Sequence, residues 1–150
     1  MPKFIYLLHA TPEAESGAPP TPEIIEAMTT YNTSLSDAGM LLGGDGLKSS
    51  SHGARVVFPE VGQEASASPS VVKGPFDLSA GLICGFWLVK AKSLDEAAEW
   101  AAKAPIRGTK IEVREISGIE DMGEAMTEEV KEKERILKEK AEKRIQEMGA

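Results

Sequence analysis

Three residues able to transfer a proton lie at the ends of predicted elements of this sequence. His9 ends a run of apolar residues, Asp37 shortly precedes the glycine that closes a predicted helix, and Asp45 lies between two glycines. Histidine exchanges protons near neutral pH, and a carboxylate can orient the imidazole or act as the acid or base itself. The sequence therefore makes His9, Asp37 and Asp45 candidate catalytic residues for proton transfer on a small organic molecule.

Each of these residues also has a plain structural interpretation. A lone histidine at a strand end is a weak signal for catalysis, an aspartate near a helix end is usually solvated, and an aspartate between glycines usually forms a turn. His52 follows three serines, but adjacent residues of a loop rarely hold the geometry of a catalytic triad. His52 therefore receives little functional weight.

Four further residues are candidate ligand-binding residues. Tyr31 offers a phenol for the rim of a pocket, Lys73 a charge that attracts an anion, and Phe76 and Trp87 apolar surface. A lysine in a loop is more often solvated, and a tryptophan in an apolar strand more often belongs to the core. Two distant histidines and one cysteine form no set of metal ligands, and no phosphate-binding glycine motif is present, so no cofactor is predicted.

The composition excludes several classes of partner. The chain has 150 residues, enough for one domain with its own core, and a net charge of -7 that disfavours nucleic acid and anionic membrane surfaces. Its one cysteine, Cys84, lies in an apolar strand and suits a reducing compartment. With no apolar run long enough to span a bilayer, the sequence predicts a soluble cytoplasmic protein.

The elements are arranged around residues 81–105, where an apolar strand runs into a capped helix. The strand, residues 82–89, shows no alternation of polar and apolar residues, so both of its faces are expected to be covered. Ser93 and Glu96 form a predicted capping box at the start of the helix, and Pro105 ends it.

The other elements complete an α+β domain at residues 1–116. Predicted strands occupy residues 3–9, 40–47, 54–58, 70–72 and 111–116. Another helix, the first along the chain, is capped by Thr21 and ends before Gly39. This order is a ferredoxin-like βαββαβ pattern with an inserted β-hairpin. Two helices cover one face of such a sheet, so the dry central strand predicts a homodimer in which a second sheet covers the other face.

The C-terminal residues 117–150 form a charged helical extension in this interpretation. Residues 127–148 favour a helix whose oppositely charged residues form supporting pairs along one side. A thin apolar stripe runs along it, formed by Met126, Val130, Leu137, Ala141, Ile145 and Met148. The stripe suits a helix that packs on its own domain or on a partner subunit, and a solvated helix remains the alternative.

Four motifs carry a resemblance to a known family. They are LLGGDGL at residues 41–47, KGPF at 73–76, the pair Gly85-Phe86 in an apolar strand, and SLDEAAEWAAKAP at 93–105. Taken together they resemble the YCII-related family, and within it the subgroup named for an Asp-Gly-Pro-Phe motif. The resemblance implies a dimeric α+β barrel, a small bacterial cytoplasmic protein and an enzymatic role.

Two positions depart from the pattern that this resemblance implies. Lys73 stands where the subgroup has the Asp of its motif. Classical members carry a catalytic pair, a His early in the first helix and an Asp before its terminal Gly. Asp37 takes the Asp position, whereas the His position falls at about Ile25.

Two functions of different classes therefore stay open. The first is a cofactor-free enzyme that moves a proton on a small organic molecule, which the resemblance favours. The second is a non-catalytic ligand-binding or assembly module, which Lys73 and the missing helix histidine favour.

Overall fold

The structure is a computed structural model, and it describes residues 1–149. Six strands form a mixed α+β fold with four helices. The strands are β1 (Lys3–His9), β2 (Leu41–Gly46), β3 (Ala54–Val57), β4 (Ser70–Lys73), β5 (Ile83–Lys90) and β6 (Ile111–Glu115). The helices are α1 (Pro12–Glu15), α2 (Pro22–Asp37), α3 (Leu94–Ala101) and α4 (Glu128–Gly149), with short 3₁₀ turns at Ser50–His52, Leu78–Ala80 and Ile119–Ala125. The α+β class predicted from the sequence is confirmed.

The main sheet has four antiparallel strands in the order β2-β5-β1-β6, and β3 pairs with β4 in a separate two-stranded sheet. The central strands β1 and β5 therefore each have a neighbour on both sides, as their apolar sequences require. The hairpin of β3 and β4 is exposed at every position.

Local signals set the helix ends as the sequence predicts. The Thr21 hydroxyl accepts the N–H of Ile24 at 3.3 Å. At α3, the Ser93 hydroxyl accepts the N–H of Glu96 at 3.1 Å, while the Glu96 carboxylate accepts the N–H of Lys92 at 2.6 Å. The two hydroxyl bonds satisfy backbone donors of the first helical turns, whereas the Glu96 carboxylate binds the N–H of Lys92, one residue before the Ser93 N–H of the predicted capping box.

The short helix α1 lies in residues 10–20, a segment for which the sequence predicts neither a strand nor a helix. The Thr11 hydroxyl caps this helix by accepting the N–H of Ala14 at 3.2 Å, and Pro12 occupies its first turn, where a missing N–H costs nothing. Turn-forming residues can thus also start a short helix.

The core lies between one face of the sheet and the helices α2 and α3, and we call this face the helix face. Its buried strand residues alternate along β1 and β5, and the facing helix residues come from both helices. The core consists of Phe4, Tyr6, Leu8, Tyr31, Leu35, Met40, Trp87, Val89, Ala91, Ala97 and Ala101. The small alanines of α3 let that helix lie close to the sheet.

The opposite face of the sheet, which we call the open face, is also apolar at its centre. Ile5 pairs with Leu88 and Leu7 with Phe86, so these four side chains form one patch. All four are partly exposed in the single chain. The prediction that both faces of β5 are dry therefore holds for the helix face alone in one copy of the chain.

The first turn of α2 contributes less to the core than its sequence suggests. Ile24 and Ile25 are 51% and 53% exposed, whereas Tyr31 and Leu35 are buried and Met28 is partly buried. The packed part of α2 therefore begins at Met28.

Residues 1–116 form one compact unit, and a second begins at Ser117. In the second unit, α4 has no buried residue, and its side chains form ion pairs one helical turn apart, such as Lys131–Glu128 and Lys133–Glu129. None of the helices in residues 1–149 is long and apolar enough to cross a membrane.

Candidate functional site

A cleft of about 360 Å³ opens between α2, β2 and β5. We call it the glycine cleft. It is lined by Leu8, Met28, Asn32, Leu41, Gly43, Gly44, Asp45, Gly46, Cys84, Gly85, Phe86 and Trp87. Apolar side chains and backbone dominate this lining, with few polar groups among them, which is the usual make-up of a small-molecule site.

The space exists because the strands carry glycine where the helix face would otherwise carry side chains. Gly44 pairs with Trp87 and Gly46 with Gly85 across β2 and β5, which puts these positions on the helix face. A Cβ atom added to Gly46 would meet nothing within 4 Å, and one added to Gly85 would have its nearest contact at 3.5 Å. Neither glycine is needed to avoid a clash, so both leave room.

Gly44 has a different reason to be glycine. Its φ is +155°, and an added Cβ would lie 2.6 Å from the carbonyl oxygen of Phe86. A side chain at Gly44 would therefore push β2 away from β5.

Trp87 and Asn32 form the polar part of the wall. The Trp87 indole N–H donates to the Asn32 side-chain oxygen at 2.7 Å, and the indole contacts Tyr31 edge-on with ring centroids 5.7 Å apart. This bond uses the oxygen of the Asn32 amide and leaves its two N–H donors for a ligand. Trp87 is 8% exposed, so the cleft wall that it forms is a largely buried side chain with its polar atom already bonded.

Tyr31 is a core residue that is absent from the lining of the glycine cleft and belongs instead to the lining of a shallow pocket between α2 and residues 103–105. It is 4% exposed, and its hydroxyl donates to the carbonyl of Trp100 at 3.0 Å. The Tyr6 hydroxyl likewise donates to Ala97 at 2.6 Å. Burial, with a smaller effect of the Glu96 charge, raises the pKa of Tyr6 to about 12, and burial also raises the pKa of Tyr31. Both hydroxyls are neutral donors that join the sheet and α2 to α3.

The structure does not bring the three candidate catalytic residues together. Asp45 lines the glycine cleft, although its pairing with Phe86 puts it in register with the open face. His9 lies beyond a register shift that follows Leu8, where it pairs with Ile83, and it is not part of the lining of the glycine cleft. Asp37 is exposed at the last position of α2. Of the three candidates, the lining of the glycine cleft therefore includes Asp45 alone.

A second cleft, of about 500 Å³, lies at the end of the sheet where β1 and β2 finish and β5 begins. We call it the loop cleft. It is lined by Ala10, Ala14, Glu15, Leu47, Lys48, Ser49, Ser50, His52, Gly53, Ala54, Arg55, Phe76, Gly81, Leu82, Ile83 and Cys84. Phe76 of the KGPF motif is thus a cleft residue, whereas Lys73 is exposed on β4 and is not part of this lining.

Cys84 belongs to the lining of both clefts. Burial is the main cause that raises the pKa of its thiol, with a smaller contribution from the Glu15 charge. The thiol is therefore protonated at neutral pH and is a poor nucleophile.

Sequence reasoning missed Asn32 and Arg55. Asn32 follows Met28 by four residues, so it shares a helix face with a core residue, and a polar residue on such a face was a usable signal. The glycines at positions 44 and 46 share one strand face, which was a second signal. Arg55 gave none, because its role depends on the chain folding back to Phe76.

No metal site is formed by residues 1–149, in which no three His, Cys, Asp or Glu side chains are grouped closely enough to hold an ion. Comparison with protein families matches residues 3–120 to the YCII-related domain. The chain belongs to the YCII-related domain family. The matched region of this YCII-related protein includes all six strands and both clefts, and it ends before α4. No curated protein matches the chain.

Proposed function

We propose that this YCII-related protein binds a small, largely apolar organic molecule in the glycine cleft. The observation that carries the proposal is the side-chain-free floor at Gly46 and Gly85, which lies beside a buried Trp87. Strand glycines that could carry a methyl group without a clash, yet do not, leave a space for another molecule. The Asn32 N–H donors supply the directional contact that such a ligand needs.

The test is a screen of small ring compounds by NMR, with the Trp87 indole N–H signal as the reporter. Binding in the glycine cleft shifts this signal, because the indole forms its wall. Gly46→Val fills the floor and is expected to weaken binding at least about tenfold, which corresponds to about 1.4 kcal/mol. Ala18→Val adds two methyl groups in an exposed loop outside the cleft and leaves affinity unchanged. Equal affinity in the two variants would refute the proposal.

A second candidate is proton transfer in the same cleft, favoured by the presence of Asp45 in its lining. In this role the Asp45 carboxylate takes a proton from a carbon acid bound against Trp87, and His9 and Asp37 take no part. A suitable probe is cyclohexanone in deuterated water, with exchange of its α-protons followed by NMR. Exchange that falls to background in Asp45→Asn supports catalysis, and exchange unchanged by Asp45→Asn leaves ligand binding as the function.

We also propose a ferredoxin-like homodimer of the dimeric α+β barrel type. The partly exposed apolar patch of Ile5, Leu7, Phe86 and Leu88 supports a second sheet as the cover of the open face. We propose further that the protein belongs to the Asp-Gly-Pro-Phe subgroup and is bacterial, which the KGPF motif supports. A cytoplasmic location is part of the same proposal, and the free Cys84 supports it.

A further inference from the structure

The loop cleft has a charge unlike that of the chain around it. The chain carries a net charge of -7, yet Lys48 and Arg55 are both part of this lining. Glu15 is the one carboxylate among the lining residues, and it accepts the backbone N–H of Ser50. Lys48 and Arg55 are exposed, whereas Glu15 is partly buried and already bonded, so cations predominate among the charges that a ligand would meet.

Hydrogen bonds hold the loops that build the cleft in place. The Ser50 hydroxyl accepts the N–H of Phe76 at 2.8 Å, and Gly74 donates its N–H to Gly53 at 2.9 Å. The two loops also pack in direct contact, since a Cβ atom added to Gly74 would lie 1.8 Å from the carbonyl oxygen of Ser50. The Ser49–Gly53 and KGPF loops thus form one unit with a fixed shape, which favours a preformed site.

Arg55 is held against an aromatic ring at the edge of this cleft. Its guanidinium carbon lies 4.0 Å from the centroid of the Phe76 ring. A cation–π contact of this kind restrains the guanidinium. Its N–H groups stay free to bind a partner that lies in the plane of the guanidinium. The planar fork of these groups matches a carboxylate, which can accept two parallel hydrogen bonds.

The inner wall of the cleft is apolar. Leu82 and Ile83 line it at the start of β5, and both are only partly exposed. His52 adds a polar group beside them, with its Nδ1 atom 3.2 Å from the Ser51 hydroxyl. The cleft therefore combines cations at its opening with apolar surface behind them.

We propose that the loop cleft is an anion site that binds a small organic carboxylate with a flat apolar body. Arg55 donates two parallel hydrogen bonds to the carboxylate from its N–H fork, Lys48 adds attraction, and the body packs against Phe76, Leu82 and Ile83. This site adjoins the glycine cleft at Cys84 but does not depend on the function proposed there.

The first test is a titration of the isotope-labelled full-length protein with benzoate, followed by amide NMR. The signals of Ser50, Gly53 and Phe76 are expected to shift, because these residues line the loop cleft. Benzyl alcohol has a similar body without the charge, and acetate has the charge without the body. Both are expected to bind at least about tenfold more weakly than benzoate.

Matched variants test the role of Arg55. Arg55→Gln is expected to weaken benzoate binding at least about tenfold, and Arg55→Lys, which keeps the charge but loses the fork, to give an intermediate affinity. Lys73→Gln removes the same charge from a strand residue outside the cleft and leaves affinity unchanged. Retained dispersion of the amide spectrum shows that each variant is folded.

Three outcomes would overturn the proposal. Equal affinity for benzoate and benzyl alcohol would show that the site does not recognise the carboxylate charge. If Lys73→Gln and Arg55→Gln weakened benzoate binding equally, the net charge of the protein would explain the effect and Arg55 would have no specific role. If benzoate shifted only the NMR signal of the Trp87 indole, it would bind in the glycine cleft and not in the loop cleft. The function proposed for the glycine cleft would then still stand.

Discussion

The Trp87 indole N–H lies 2.7 Å from the Asn32 side-chain oxygen, and this bond joins the central strand β5 to α2 beside the glycine cleft. It satisfies a buried donor that has no other acceptor in the described part of the chain. The same two residues therefore hold the helix above the floor and form the wall that a ligand would contact.

Substitution of Asn32 tests this double role. Asn32→Leu leaves the indole N–H without a partner and is expected to lower the free energy of unfolding by about 1–3 kcal/mol. Asn32→Asp keeps an acceptor and is expected to lose much less. Urea unfolding measures both changes. The same substitution is then made in a Trp87→Phe background, which lacks the indole N–H. If Asn32→Leu lowered the free energy of unfolding by the same amount there, the hydrogen bond would not be the cause of the loss.

The glycines of β2 are expected to respond differently to the same change. Gly44→Ala forces a Cβ atom to within 2.6 Å of a backbone oxygen and is expected to cost about 1–3 kcal/mol. Gly46→Ala meets open space and is expected to change stability by less than about 1 kcal/mol in either direction. Thermal unfolding of the two variants checks this contrast, and equal melting temperatures would contradict it.

The open face is expected to form the interface of a homodimer. Leu88→Asp puts a charge at the centre of the apolar patch, where burial without a partner is costly, so light scattering after gel filtration is expected to show a dimer for the wild type and a monomer for the variant. Arg107→Asp, in an exposed loop, is the control and is expected to stay dimeric. A wild-type monomer at micromolar concentration would disprove the dimer.

Removal of residues 127–150 is expected to leave the first compact unit folded. The α4 helix has no buried residue, and exposed ion pairs such as Lys133–Glu129 contribute little stability. The free energy of unfolding of the truncated protein is expected to fall by less than about 1 kcal/mol. A truncated chain that loses its near-ultraviolet circular dichroism would mean that α4 supports the core.

The sequence was sufficient for the six strands and for α2, α3 and α4, but not for α1 or for the site. Local patterns decide strands and caps, so Thr21, Ser93 and the apolar run of β5 were readable from the chain alone. The clefts depend on contacts between distant residues, such as Arg55 with Phe76, that no local pattern encodes. His9 illustrates the limit, because the register of β1 shifts between Leu8 and His9, and strand alternation alone does not place a side chain beyond such an irregularity.

The two tyrosines give the molecule a defined response to alkaline pH. Because burial raises the pKa of Tyr6 to about 12, above the value near 10 of an exposed tyrosine, the folded state holds this proton more tightly than the unfolded state. The resulting stability is fully present below about pH 10 and is lost as the pH rises towards about 12. The pKa of Tyr31 is raised in the same direction, so both tyrosines act together.

Tyr6→Phe removes one of these two groups and keeps the ring. It is expected to lower stability at neutral pH by about 1 kcal/mol, because the carbonyl of Ala97 loses its hydrogen bond, and to make the decline above pH 10 shallower. Guanidinium unfolding from neutral to alkaline pH measures both effects. Tyrosinate absorbance provides the decisive readout, because the chain contains 2 tyrosines and both are buried. Absorbance that rises near pH 10 while the protein stays folded would contradict the raised pKa values.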